Sequence, residues 1–205
     1  MNKNKSLPKK LQTFQTAYDA VMEHNKEYKK KKRKKLADHT IRVMKIVRKI
    51  CIKAKLPEDI TNTAILAACF HDVEKLKNEK QHHELGFKWV SKNHDLVKRI
   101  LNLKPSPQSA LLYSAVADAV RYHKGSKLPS FVYINGEKWT CLVSHIGCII
   151  GRIVRYADKL DKKNKGEKWE EIEKQLKKSE KYFNYKGKPK WVKKIEKQIK
   201  KVVKV

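Results

Sequence analysis

Residues 60–77 read ITNTAILAACFHDVEKLK. The block AILAACF is apolar on every side of a helix, whereas a surface helix carries only one apolar stripe. The pattern predicts a central helix over about 60–77, begun after Pro57 with Asp59 or Thr61 as its cap. His71 and Asp72 stand near its C-terminal end. A carboxylate buried alone costs several kcal/mol, so Asp72 in that place needs a cationic partner or a metal ion.

Helical periodicity continues on both sides. From Leu36 to about Lys53, His39, Val43, Ile46, Val47 and Ile50 share one face while Arg and Lys fill the other. Upstream, residues 9–28 carry a weaker amphipathic pattern around Leu11, Phe14, Tyr18 and Val21. The run KKKKRKK at 29–35 reads as a solvated linker or as a phosphate-binding edge. Downstream, helices are predicted at about 82–93, 95–103 and 108–123, the last with Val116, Val120 and His123 aligned. Asn135-Gly136 between FVYI and EKWTCLV signals a small β-hairpin at 131–143. A helix over about 144–162 carries Asp158 inside IVRYADKLD, and two basic amphipathic helices follow at about 167–183 and 189–204. The expected architecture is all-α. It has a basic N-terminal helix and linker (1–35), a helical core (36–162) with the inserted hairpin, and C-terminal helices (163–205) packing on or extending it.

Composition narrows the function classes. The 205 residues are 40% hydrophobic, enough to bury a core. No stretch approaches the roughly 20 apolar residues of a membrane span, and MNKNKSLPKK lacks the apolar centre of a secretory signal, so the expectation is a cytoplasmic protein with no membrane partner. Cys51, Cys69, Cys141 and Cys148 form no CxxC pair, which argues against a zinc–thiolate site. Fifty Lys and Arg against 21 Asp and Glu give a net charge of +29. Growth at high temperature normally raises Glu together with Lys. An unmatched excess points instead to a polyanionic substrate or partner. Aromatic residues are not interleaved with the basic runs, so stacking on bases is not indicated.

The polar groups that interrupt apolar helix faces are His39, the His71-Asp72 pair, His123 and Asp158. At these residues the sequence resembles the HD superfamily of metal-dependent phosphohydrolases. DHTIRV is similar to the family's H-x-x-R-V opening, ACFHDVEKL to A-x-L-H-D-x-x-K, and IVRYADKLD to R-I-x-x-x-A-D-x-x-D. HHELG at 82–86 resembles the H-P-E-I-G element of the binuclear branch, and RYHKGS its later histidine segment. The resemblance covers about residues 36–162 and implies an HD-domain helical bundle. It implies His39, His71, Asp72 and Asp158 as metal ligands, Asp72 bridging, with His82 and His123 completing a second ion. It also implies catalytic and phosphate-binding roles for Lys75 and Arg42, Arg42 alternatively orienting a ligand. Lys124 stands where some two-metal members carry a second histidine, and joins the phosphate-binding candidates. Glu74 replaces a common glycine. Asp161 competes with Asp158, and Glu84 is either a hydrogen-bond partner of an imidazole or a surface acid. His83 reads as the exposed neighbour of His82, and His24 and His94 as surface residues.

Mixed imidazole and carboxylate ligation suits one or two Mn, Fe, Co, Ni or Zn ions, with Mg possible. The expected activity is cleavage of a phosphate ester or anhydride by metal-activated water, as a phosphodiesterase, nucleotidase or nuclease. The expected substrate class is a nucleotide or a single-stranded nucleic acid, the latter favoured by the charge and the basic tail, with nucleic-acid contact through the basic termini as the partner expectation. The alternative is a non-catalytic nucleic-acid-binding module on an HD fold. Nothing in the sequence sets an oligomeric state.

Overall fold

The computed structural model describes residues 6–124, 132–134, 137–139, 142–164, 166–183 and 190–203. A 3-10 turn (Lys9–Phe14) leads into α1 (Gln15–His24), so the pattern over 9–28 becomes two short pieces. Helix α2 (Lys30–Lys53) begins inside the basic run. That run is therefore not a linker, and the boundary expected at 35/36 falls within a continuous helix. Lysine has good helix propensity, and consecutive lysines need only a solvated face to stay helical.

Helix α3 (Glu58–Phe70) packs against α1, α2 and two later helices, α6 (Pro107–Tyr122) and α7 (Leu142–Lys163). Every residue from Thr63 to Phe70 is buried, as the all-round apolar pattern requires. Its ends differ from expectation. Neither Asp59 nor Thr61 caps it; Pro57 occupies the N-cap, and Glu58 and Asp59 fall in the first turn, where the helix dipole favours acids. At the other end α3 stops at Phe70 rather than 77. Bonds from Val73 N to Phe70 O and from Lys75 N to Asp72 O tighten the chain into successive turns. His71 Nδ1–H donates to the Ala68 carbonyl at 2.8 Å, which meets one of the acceptors a helix end leaves open.

Helix α4 (His82–Lys92) packs on α6, and α5 (His94–Leu101) ends in a left-handed Asn102. A reciprocal Ser106–Ser109 capping box with Pro107 at the first position starts α6. Helices α6 and α7 approach closely at Gly147, where any β-carbon would collide with Asp118. Helix α8 (Trp169–Phe183) packs on α7, and α9 (Lys190–Val203) packs on both α7 and α2. Ile172, Leu176, Val192 and Ile199 join the common core. The bundle is all-α in its core. Of the hairpin expected at 131–143, residues 131, 135, 136, 140 and 141 lie outside the described residues. Two three-residue strands, β1 (Val132–Ile134) and β2 (Glu137–Trp139), pair antiparallel there, and the insertion otherwise rests on the sequence pattern. No helix among the described residues is long and apolar enough to cross a membrane.

Candidate metal centre

Five segments deliver the polar groups to one place. Helix α2 brings His39 from its core face, and the turn after α3 brings His71, Asp72 and Lys75. His82 opens α4, His123 caps α6, and α7 presents Asp158 and Asp161. His71, Asp72, His82 and His123 are all at most 5% exposed.

Asp72 lies between two histidine pairs. Its Oδ2 is 3.3 Å from His39 Nε2 and 3.4 Å from His71 Nε2. Its Oδ1 is 3.2 Å from His82 Nε2 and 4.0 Å from His123 Nε2. Within each pair the Nε2 atoms are 3.2 Å apart. Asp158 Oδ1 joins the first group at 3.3 Å from His39 Nε2. His39–His71–Asp72 and Asp72–His82–His123 are thus two ligand triads sharing one carboxylate, one oxygen facing each.

The outer nitrogens fix how these rings face. His71, His82 and His123 each direct Nδ1 at the carbonyl three residues earlier: Ala68 at 2.8 Å, Glu79 at 2.7 Å and Val120 at 2.6 Å. A carbonyl only accepts, so each Nδ1 carries the proton and each Nε2 turns a lone pair inward. His39 Nδ1 instead meets Asp161 Oδ2 at 2.8 Å.

This arrangement fits divalent cations. Burial holds the His82 and His123 imidazoles below their ordinary range, hence neutral, with nearby cationic groups adding to the effect. Two inward lone pairs and a carboxylate oxygen then face one another with no proton among them, a repulsion that a cation removes. Two nitrogens each about 2.1 Å from one ion and about 100° apart would be about 3.2 Å from each other. In the other triad burial also lowers His71, and Asp158 Oδ1 is buried without a hydrogen-bond partner. Burial opposes a charge on His39, but Asp158 and Asp72 win and push it up to about 9, so a proton supplies the positive charge there. Burial disfavours the Asp72 carboxylate too; His71, His39 and Lys75 nonetheless hold it well below the usual range. The nitrogen–oxygen donor set suits Mn, Fe, Co, Ni or Zn.

Two cavities open from the centre. One of about 160 Å³ is lined by Asp72, His82 and His123 with Lys124, Arg155, Lys159 and Lys162. The other, about 640 Å³, is lined by His39, Asp72 and Lys75 together with Lys32 and Lys35 from the first turns of α2. The basic run at 29–35 therefore contributes an edge of the cleft, one of the two roles its sequence allowed.

His39, His71, Asp72, His82, His123 and Asp158 converge as the sequence suggested. Lys75 donates to Asp72 Oδ2 at 2.6 Å. Lys124 bonds the Lys80 carbonyl at 2.8 Å beside the smaller cavity. Arg42 lines neither of these two cavities. Its Nε and NH2 donate to Asp161, which is fully buried and holds His39. Asp161 is thus no rival of Asp158: α7 turns Asp158 into the centre and Asp161 onto the back of His39. Glu84 pairs with Arg121 at 3.1 Å and, at 4.0 Å, with His83 Nε2, an imidazole outside the two triads. Glu74 is buried and meets His24 Nε2 at 3.0 Å, and Trp89 Nε1 donates to His24 Nδ1 at 3.1 Å. His24 is exposed, as expected, and also links α1 to the ligand turn. The HHE string and the i,i+3 spacing of Asp158 and Asp161 were readable, but the partners chosen across helices were not.

A family model described as HD domain matches residues 36–163. The chain belongs to the HD family, whose members are metal-dependent phosphohydrolases, and the two triads are groups that could hold the metal. No curated protein and no solved structure matches the chain.

Proposed function

We propose that the chain hydrolyses a phosphate ester or anhydride bond in a nucleotide or a single-stranded nucleic acid. The observation that carries this reading is the lining of the two cavities. Lys32 and Lys35 line one cavity, Lys124, Arg155 and Lys159 line the other, and Lys75 and Lys162 line both. Cations in both cavities of a metal centre suit a substrate with negative charge on both sides of the attacked phosphorus. Among the described residues no Phe, Tyr or Trp lines either cavity, which supports recognition through phosphate rather than base stacking.

His39, His71, Asp72 and Asp158 would hold one divalent ion and Asp72, His82 and His123 a second. Bound divalent ions supply Lewis acidity and lower the pKa of water to about 7. The chain's own residues do the rest. The Nδ1 bonds of the four histidines keep their inner nitrogens basic and aimed. Lys75, ion-paired with Asp72 yet reaching both cavities, offsets the charge that builds on the phosphoryl oxygens. Arg42 and Asp161 hold His39 against rotation.

A hydrolysis screen with Mn, Co, Ni, Zn or Mg, spanning mononucleotides, dinucleoside polyphosphates, cyclic nucleotides and short single strands, tests the reading. At least one class should turn over with metal and not with chelator. If a strand is the substrate, activity should fall steeply between about 50 and 200 mM salt. A metal-loaded protein that binds single strands and hydrolyses none of these would leave the non-catalytic binding reading.

A further inference from the structure

The family match ends at 163, yet α8, which follows it, bonds two residues that line the smaller cavity. Arg155, Asp158, Lys159 and Lys162 recur at i, i+3, i+4 and i+7 along α7, which places them on one helical stripe. That stripe forms the wall of the smaller cavity facing His82 and His123. Lys159 is only 8% exposed, an uncommon position for a lysine, and its Nζ donates to Gln175 Oε1 of α8 at 2.6 Å. Arg155 is fixed from two sides. One NH1 bonds the Lys124 carbonyl at 2.8 Å and the His123 carbonyl at 3.3 Å, and NH2 bonds the Gln175 carbonyl at 3.3 Å. One residue of α8 thus holds two cations that line the wall of a cavity reaching the metal centre. No carboxylate other than Asp72, Glu79 and Asp158 lines that cavity, and Asp72 and Asp158 are accounted for as ligands.

We propose that Arg155 and Lys159, positioned by Gln175, form a subsite for a second phosphate, so that the substrate carries at least one phosphate besides the one attacked. This rests on the hydrolase reading above. The second phosphate belongs either to a polyphosphate chain or to a neighbouring nucleotide, and the same two cations serve both.

The test compares three substrates with metal-loaded full-length protein: bis(4-nitrophenyl) phosphate with a single phosphorus, diadenosine tetraphosphate, and a 5′-phosphorylated diadenylate. Lys159→Met should raise KM for one of the two multi-phosphate substrates by about tenfold more than for the single-phosphorus one, the scale of a lost charge-assisted hydrogen bond. Gln175→Ala should raise the same KM in the same direction by about threefold, with kcat for that substrate changing less, as a positioning role requires. Which substrate carries the penalty identifies the source of the phosphate. Lys174→Ala, the loss of an exposed α8 charge lining neither cavity, should leave all three KM values within twofold. Equal losses on all three substrates overturn the subsite. Calorimetric binding of tripolyphosphate to chelator-treated protein gives a readout free of turnover. Lys159→Met should weaken it about tenfold, and unchanged binding overturns the proposal even if the wild type hydrolyses nothing. Failure of hydrolysis with this binding intact would count against the hydrolase reading alone.

Discussion

Replacing Asp161 by Asn isolates what holds His39 in place. The side chain keeps its shape, but its charge is lost from a fully buried position that accepts from His39 Nδ1 at 2.8 Å and from Arg42 Nε at 2.5 Å. Breaking a buried pair costs about 3–5 kcal/mol. The Arg42 side chain is 40% exposed and can turn to water, which lowers that figure to about 2–3 kcal/mol. For a chain of this size such a loss corresponds to a melting temperature about 4–12 °C lower. The effect on metal is separate. A group that orients a metal-binding imidazole contributes about 10- to 100-fold in affinity, or about 1.4–2.7 kcal/mol. Only the ion held by His39, His71, Asp72 and Asp158 should weaken, so a chelator-competition isotherm should change in one step and keep the other. If stability falls while both steps stay where they were, Asp161 is a packing residue and the positioning argument is wrong.

Asp72→Ala should abolish binding of both ions and turnover while far-ultraviolet circular dichroism keeps its helical signature; His82→Ala should lose one metal equivalent by elemental analysis. Wild-type turnover in the first variant, or unchanged stoichiometry in the second, contradicts the shared-carboxylate arrangement. Burial pushes the Asp118 carboxyl up to about 6, above its unfolded value, although Arg121 pulls the other way. Its contribution to stability is therefore present in full below about pH 4 and is lost as pH rises through 6. Asp118→Asn should accordingly be about 1–3 kcal/mol more stable than wild type at pH 7.5 and gain nothing near pH 4, as read by denaturant titration at both pH values. Asn25 is 1% exposed and donates to the Val21 and Val73 carbonyls at 2.9 Å each, clamping the ligand turn to α1. Asn25→Ala should cost about 1–3 kcal/mol, and no change in the denaturation midpoint would show that water replaces it freely.

Of the candidate ligands, His39, His71, Asp72, His123 and Asp158 were legible as polar residues on apolar helix faces, and His82 through the order of segments that matched a known pattern. Helix existence followed from periodicity for the same reason. The C-terminal end of α3 was not legible. Val73-Glu74-Lys75-Leu76-Lys77 has ordinary helix propensity, and what stops the helix is the tertiary demand on His71 and Asp72, met by turns that local sequence does not announce. Asp161 was visible as a rival of Asp158, but its place as the outer partner of His39 was not. One-dimensional spacing puts it nearly a turn from Asp158, and only the crossing of α7 over α2 decides which carboxylate reaches the inner side of His39 and which the outer. Gln175 carried no signal at all, because an exposed glutamine on a lysine-rich helix is unremarkable until its neighbour across the groove is known.

Three of the four inner imidazoles hang from carbonyls of their own chain three residues back, and only His39 depends on a carboxylate from another helix. A main-chain acceptor survives any substitution, so the pair at His82 and His123 is insulated from distant change. The His39 side has an adjustable support, and variation at positions 42 and 161 can therefore reset the affinity of one ion while leaving its neighbour alone. With an ion in each triad, such asymmetry would let one metal be exchanged or lost without rebuilding the whole centre.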